Sequence, residues 1–140
     1  MSLPIEAKNE KSAGTVRTDV DENKKTILIY SPDLNFCFSL SMLFQDRYNV
    51  ITTTNLGMLG TFGVNYAADL IIVDAVPSER VIERLNGLKE LKQRLPIIML
   101  YVFNPRDTCF ESVIRDRVDS VFYKPFDIAA VSKRIEELLA

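Results

Sequence analysis

The sequence contains no histidine and no tryptophan among its 140 residues, and only two cysteines, Cys37 and Cys109. Without histidine the chain cannot assemble a Ser-His-Asp triad, a histidine general base or a histidine-ligated metal. Two distant cysteines exclude a four-cysteine zinc site and a disulfide-rich secreted scaffold. Neither sign of charge dominates: 17 basic against 19 acidic residues leave a formal net charge of −2, with no polycationic footprint for nucleic acid. The longest apolar run, Ile97 to Phe103, falls well short of the roughly 18 residues of a membrane-spanning helix. The first residues lack the apolar core of a signal peptide. These absences point to a soluble chain, expected in the cytoplasm, with neither membrane nor nucleic acid among its partners. The length suits one ordinary domain with a real core.

What is present divides in two. Residues 1–25 carry five acids and five bases, no aromatic residue and no sustained period. Such a stretch buries too little to offset its ordering entropy, so it reads as a flexible tail before a domain at 26–140. From there apolar runs alternate with helical patterns. Thr26 to Tyr30 is a short strand stopped by Ser31-Pro32-Asp33. Phe36, Leu40, Leu43 and Phe44 recur on one helical face, which is taken as that helix's buried stripe. Asn49 to Thr54 is a strand, and Leu56 to Asn65 a weak helix broken by Gly57, Gly60 and Gly63. Asp69 to Val73 reads as a central buried strand, followed by a helix through Val81, Leu85, Leu88 and Leu91 or Lys92. Ile97 to Phe103, Arg106 to Arg115, Ser120 to Tyr123 and Asp127 to Leu139 complete the alternation as strand, helix, strand and helix.

Five strands alternating with five helices predict an α/β fold, a doubly wound (βα)5 unit on a parallel sheet with right-handed crossovers. Open sheets of this kind carry their sites at the carboxyl ends of the strands. Asp74 ends the most apolar strand and Lys124 ends the last one, so both reach one crevice. An aspartate there can attack a phosphoryl group while the lysine neutralises charge on its oxygens. Equally, Asp74 can accept loop hydrogen bonds with Lys124 as a structural ion-pair partner. The two residues alone leave both readings open.

Order and spacing add a resemblance. Lys25-Thr-Ile-Leu-Ile-Tyr30, Asp69-Leu-Ile-Ile-Val-Asp74 with Pro77, Leu95-Pro-Ile-Ile-Met-Leu100 and Asp119 through Lys124-Pro-Phe126 together resemble the CheY-like receiver domain of two-component response regulators. The likeness spans residues 25–139. It implies a flavodoxin-like fold with strand order 2-1-3-4-5. It makes Asp74 the phospho-acceptor position and Lys124 the family lysine, ahead of a cis Lys124-Pro125 bond. It also exposes departures. Ser31 and Pro32 stand where receivers hold Mg²⁺ with an acidic pair, and Asp33, one place later, is expected to cap the first helix. Tyr101 replaces the serine or threonine that contacts the phosphoryl group, and Val121 replaces the aromatic switch residue.

Neither a proline nor a neutral serine hydroxyl substitutes for two carboxylates around Mg²⁺, so metal binding is expected to be lost or weak, with Asp74 as the one remaining ligand. No other cofactor is expected. The favoured reading is an atypical receiver of a phosphorelay, not an enzyme, that acts through protein contacts. At most it would take a phosphoryl group on Asp74 from a phosphodonor. The alternatives are a working receiver phosphorylated on Asp74 by a histidine kinase, and a small flavodoxin-like ligand-binding protein. The last lacks a glycine-rich phosphate cradle after the first strand.

The partners that the resemblance implies are a histidine kinase, a phosphotransfer protein or a downstream regulator, with a homodimer as a further expectation. Cys37, Phe38 and Met42 lie off the stripe of the first helix, which marks either a wider buried face or an interaction face. Phe110 and Val113, with Val121, mark a second candidate face or core. Glu111, Arg115, Arg134 and Glu137 are candidate cross-dimer pairs or solvated charges. The glycine triplet reads as a fraying helix or a close approach, and Cys109 as a half-buried small hydrophobe.

Overall fold

The alternation of apolar runs and amphipathic stretches folds, in a computed structural model that describes residues 16–17, 20–92 and 94–140, into a layered α/β unit. In chain order the strands are β1 (Val16–Arg17), β2 (Thr26–Tyr30), β3 (Asn49–Thr53), β4 (Leu70–Asp74), β5 (Ile97–Tyr101) and β6 (Ser120–Tyr123). The helices are α1 (Leu34–Phe44), α2 (Leu59–Asn65), α3 (Glu79–Leu91), α4 (Thr108–Arg117) and α5 (Ile128–Leu139), with 3₁₀ turns leading into α2 and α4. The five parallel strands lie in the order β3-β2-β4-β5-β6, which is 2-1-3-4-5 counted from the first of them. The expected flavodoxin-like arrangement is therefore present.

β4 and β5 are buried along their whole length, as continuous apolar runs between two helical layers require. On one side Leu28, Ile71, Val73, Ile97 and Met99 pack under α2, α3 and α4. On the other, Ile27, Ile29, Leu70, Ile72, Ile98 and Leu100 pack under α1 and α5. Acidic residues seal the strand starts. Asp69 Oδ2 accepts from Thr26 N–H, and Asp119 Oδ2 from Ile97 N–H, both at 2.8 Å. Asp33, Ser78 and Asp127 cap α1, α3 and α5 with their side chains. No helix among the described residues is long and apolar enough to cross a membrane.

A strand that the sequence reading did not contain joins the sheet. β1 runs antiparallel to β3, with Val16 opposite Thr52 and Arg17 opposite Ile51. It lies within the stretch read as a tail, of which residues 1–15 and 18–19 are outside the described residues. Just before β2, Asp21 N–H donates to Asn49 Oδ1 and Asn49 Nδ2 donates to Asp21 O, each at 2.8 Å. Backbone pairing and one asparagine fasten this segment, and neither leaves an apolar pattern to read.

The buried stripe of α1 also differs. Cys37, Leu40, Ser41 and Phe44 face the sheet, while Leu43, expected inside, is exposed and Phe36 is half-buried. Small side chains at 37 and 41 let the helix sit close: Cys37 Sγ comes within 3.6 Å of Ser31 O and 3.7 Å of Thr53 O. That close seat turns Leu43 outward. In α3, Leu91 is exposed rather than buried, and Lys92 instead spends its ammonium on Ala68 O at 2.7 Å. β5 stops at Tyr101, since Val102 and Phe103 run beyond the sheet into solvent. Cys109 is exposed rather than half-buried, being in the first turn of α4. Among the glycines, Gly60 marks a close approach: a Cβ there would come within 3.1 Å of Leu91 Cδ1.

Candidate functional site

Three strand ends build the site. Asp74 is the last residue of β4, Ser31 follows β2 and Lys124 follows β6. Backbone bonds carry the sheet just past these ends. Ser31 N–H donates to Thr53 O and Ala75 N–H to Leu100 O, both at 3.2 Å, and Lys124 N–H donates to Tyr101 O at 2.9 Å. The side chains therefore leave a rigid ladder rather than free loops. The Lys124-Pro125 bond is cis, as the resemblance implies.

Asp74 is buried, and both of its carboxylate oxygens are engaged. Lys124 Nζ lies 2.6 Å from Oδ1. Ser31 Oγ donates to Oδ2 at 2.7 Å. The Ser31 hydroxyl is wholly buried and accepts from Asp33 N–H at 3.0 Å, which fixes its own proton on Asp74. The ammonium of Lys124 also stands over the Phe36 ring, 4.6 Å from its centroid, and Phe36 packs edge-on to Phe126 at 6.2 Å. The carboxylate thus has a charged partner on one oxygen and a hydroxyl donor on the other.

The other predicted positions fall apart from this trio. Pro32 is exposed and offers no side-chain donor. Asp33 Oδ1 is taken by the α1 cap, accepting from Asn35 N–H at 2.9 Å and Phe36 N–H at 3.3 Å. Among the described residues no three acidic or thiol side chains are gathered as a metal would require.

Tyr101 is buried but turns to α4, where its hydroxyl donates to Glu111 Oε2 at 2.6 Å. Tyr123, opposite Tyr101 in the β5–β6 register, donates to the same carboxylate oxygen and accepts from Arg115 Nη2 at 2.8 Å. The rings of Tyr101 and Tyr123 meet edge-on at 5.6 Å, and Phe103 adds a third ring 5.3 Å from Tyr123. Burial, then the hydrogen bond to Glu111, raises the Tyr101 phenol well above its usual range. The bonds from Tyr101 and then Tyr123 hold Glu111 below the ordinary carboxylate range. This network ties α4 to the ends of β5 and β6.

Glu111 and Arg115 thus have partners within the chain. Arg134 likewise bonds Ser120 Oγ at 2.5 Å and Glu137 at 3.2 Å. Val121 is half-buried against the α2–α4 side of the core. The aromatic that it lacks stands two residues on, at Tyr123, on the same sheet face by strand period. Phe110 and Val113 are half-buried, whereas Phe38 and Met42 are open to solvent. The sequence reading missed Phe36 under Lys124 and the Tyr101–Glu111–Tyr123 network. The Glu111/Arg115 spacing signalled the α4 half of that network, but only the strand register reveals the tyrosine half.

No family model matches the sequence, and no curated protein matches it. Solved structures do. A CheY-like response regulator receiver domain protein of Methanospirillum hungatei superposes with a TM-score of 0.70 at 21% identity, over 83% of this chain and 94% of that one. The chemotaxis protein CheY4 of Vibrio cholerae gives a TM-score of 0.68 at 20% identity, over 83% and 99%. A Burkholderia pseudomallei protein provisionally assigned to pilus assembly gives 0.70 at 18% identity, over 87% and 94%. With this strand order and these neighbours, the chain has the fold of a CheY-like response regulator receiver domain.

Proposed function

We propose that this chain is a receiver-fold signalling module that works by binding other proteins and makes no use of Mg²⁺-dependent phosphorylation at Asp74. One observation carries the reading: each oxygen of the Asp74 carboxylate already holds a partner from this chain, Ser31 on one and Lys124 on the other. A magnesium ion needs hard, anionic oxygen ligands in near-octahedral array. Here Ser31 brings a neutral hydroxyl turned to Asp74, Pro32 brings nothing and Asp33 is committed to the α1 cap. These residues do not fit the ion. Without it an anionic donor meets the Asp74 charge with only Lys124 as compensation.

In this reading the chain is not an enzyme, and its output is recognition. The Tyr101–Glu111–Tyr123 network supports it further, because it leaves no small hydroxyl at the end of β5 to follow a phosphoryl group, and holds α4 in one place. A histidine kinase, a phosphotransfer protein or a downstream regulator would then be bound without phosphoryl transfer. Thermal melts with Mg²⁺ and beryllofluoride, which mimics an acyl phosphate, test this. The melting temperature is expected to stay where it is. A rise of several degrees that Asp74→Asn abolishes would establish instead a working receiver phosphorylated on Asp74.

A further inference from the structure

A groove of about 490 Å³ runs between α2 and α3. Three glycines line it, Gly57 and Gly60 on the α2 side and Gly87 on the α3 side. Packing within the chain accounts for Gly60, where an added Cβ would come within 3.1 Å of Leu91 Cδ1. It does not account for Gly87. That residue is in the interior of a 13-residue helix, where glycine is the weakest former after proline, yet a Cβ there would meet nothing within 4 Å. A helix glycine with open space above it suits a second backbone lying close upon it. The fold brings a length of this same chain to the place. β1 is antiparallel to β3, so Val16, opposite Thr52, directs the chain before it toward the carboxyl end of β3. There the 3₁₀ turn Leu56–Met58 begins, with Gly57 at the mouth of the groove. Residues 1–15, outside the described residues, carry their large apolar side chains, Met1, Leu3 and Ile5, at the end far from β1. Residues 9–15, when extended, reach roughly 25 Å, about twice the diameter of the one helix to be crossed.

We infer that residues 3–8 dock in the α2–α3 groove of their own chain. Leu3 and Ile5 cover Gly87 between Val64 and Leu91, two apolar side chains that are 57% and 59% exposed on the groove's rim. Glu6 meets Arg84 and Lys8 meets Glu83. Both wall residues are exposed, and neither has an ion-pair partner among the described residues. The order along the two segments agrees. Glu83 and Arg84 precede Gly87 and Leu91 on α3 and so lie nearer the mouth, as Lys8 and Glu6 lie nearer β1 than Ile5 and Leu3 do. Opposite charges in this order fix the register of the docked segment, while the apolar pair supplies most of its hold. The strap touches none of Ser31, Asp74 and Lys124, so it stands whatever the state of that carboxylate.

Trypsin digestion of the full chain tests this at the bond after Lys8, followed by mass. Each rate is taken relative to that of a free peptide of residues 1–15 with the same sequence. The wild-type chain is expected to be cut roughly tenfold more slowly than its peptide, as for a segment docked about nine-tenths of the time. Gly87→Gln fills the groove from a position with room for a side chain. Ile5→Asp removes the apolar anchor and leaves the described fold untouched. Each is expected to restore the peptide's rate, with circular dichroism melts showing both variants folded. A wild-type chain cut as fast as its peptide would overturn the inference. So would protection that either variant leaves intact, or protection that fades on dilution, which would seat the segment on a second copy.

Discussion

Ser31 and Asp74, 43 residues apart in the chain, meet through a 2.7 Å hydrogen bond from a hydroxyl with no exposed surface. A neutral group thus occupies one carboxylate oxygen in the crevice where an acidic pair would be needed to hold a metal. Ser31→Ala leaves Asp74 Oδ2 and Asp33 N–H without this partner. It is expected to lower stability by about 1–3 kcal/mol, read by urea unfolding. The double change Ser31→Asp, Pro32→Asp crowds three carboxylates together. It is expected to fold less stably in chelator and to regain its melting temperature in millimolar Mg²⁺. A double variant indifferent to Mg²⁺ would show that the metal is excluded for some other reason.

The ion pair on the other oxygen is partly open, with side-chain exposures of 30% for Lys124 and 9% for Asp74. Lys124→Met strands the aspartate charge and is expected to cost about 1–3 kcal/mol, less than for a fully buried pair because solvent reaches the lysine. Adding Asp74→Asn removes that stranded charge. The double variant should therefore be more stable than the sum of the singles implies, by about 1–2 kcal/mol in a double-mutant cycle. Additive losses would mean that the two groups do not interact.

How far the sequence reaches is visible in these two contacts. Asp74 and Lys124 could be placed in one crevice from strand ends alone, since alternating apolar runs and caps such as Asp33 and Asp127 dictate the fold locally. The Ser31 contact could not, because a serine's hydrogen-bond partner depends on which strands are neighbours. The same holds for Tyr101, whose path to Glu111 rests on the β5–β6 register and the placement of α4. β1 escaped notice because edge pairing uses backbone groups common to every residue. The apolar stripe of α1 points to Leu43, yet Cys37 and Ser41, small and weakly apolar, set the helix's approach to the sheet.

The two thiols should behave oppositely. Cys109 is exposed, whereas Cys37 is buried, and burial pushes its thiol up to about 11. A chromogenic disulfide reagent at pH 8 is expected to titrate one thiol in the native chain and two after denaturation. Rapid labelling of both would contradict the close seat of α1 on β2 and β3.

Stability is expected to fall on the alkaline side. Cys37, Tyr30 and Tyr101 all have raised pKa values in the folded chain, chiefly from burial. Their contributions are complete below the unfolded values of about 8.5 for cysteine and 10 for tyrosine, and are lost as pH rises above them. Urea midpoints should therefore decline from about pH 9 upward, less steeply in Tyr101→Phe. Glu111 has the opposite sign: its lowered pKa adds stability above about pH 4.3, which is lost as pH falls. Glu111→Gln should flatten the acid limb and also soften the alkaline one, because the bond to Glu111 is part of what raises Tyr101.

The central claim is that the Asp74 carboxylate, held by Ser31 and Lys124, does not accept a phosphoryl group. Intact mass of the full chain after incubation with a small acyl phosphate donor and Mg²⁺ tests it most directly. The account predicts an unchanged mass, the same as for Asp74→Asn treated in parallel. A stoichiometric gain of one phosphoryl group in the wild-type chain, absent from Asp74→Asn, would contradict it.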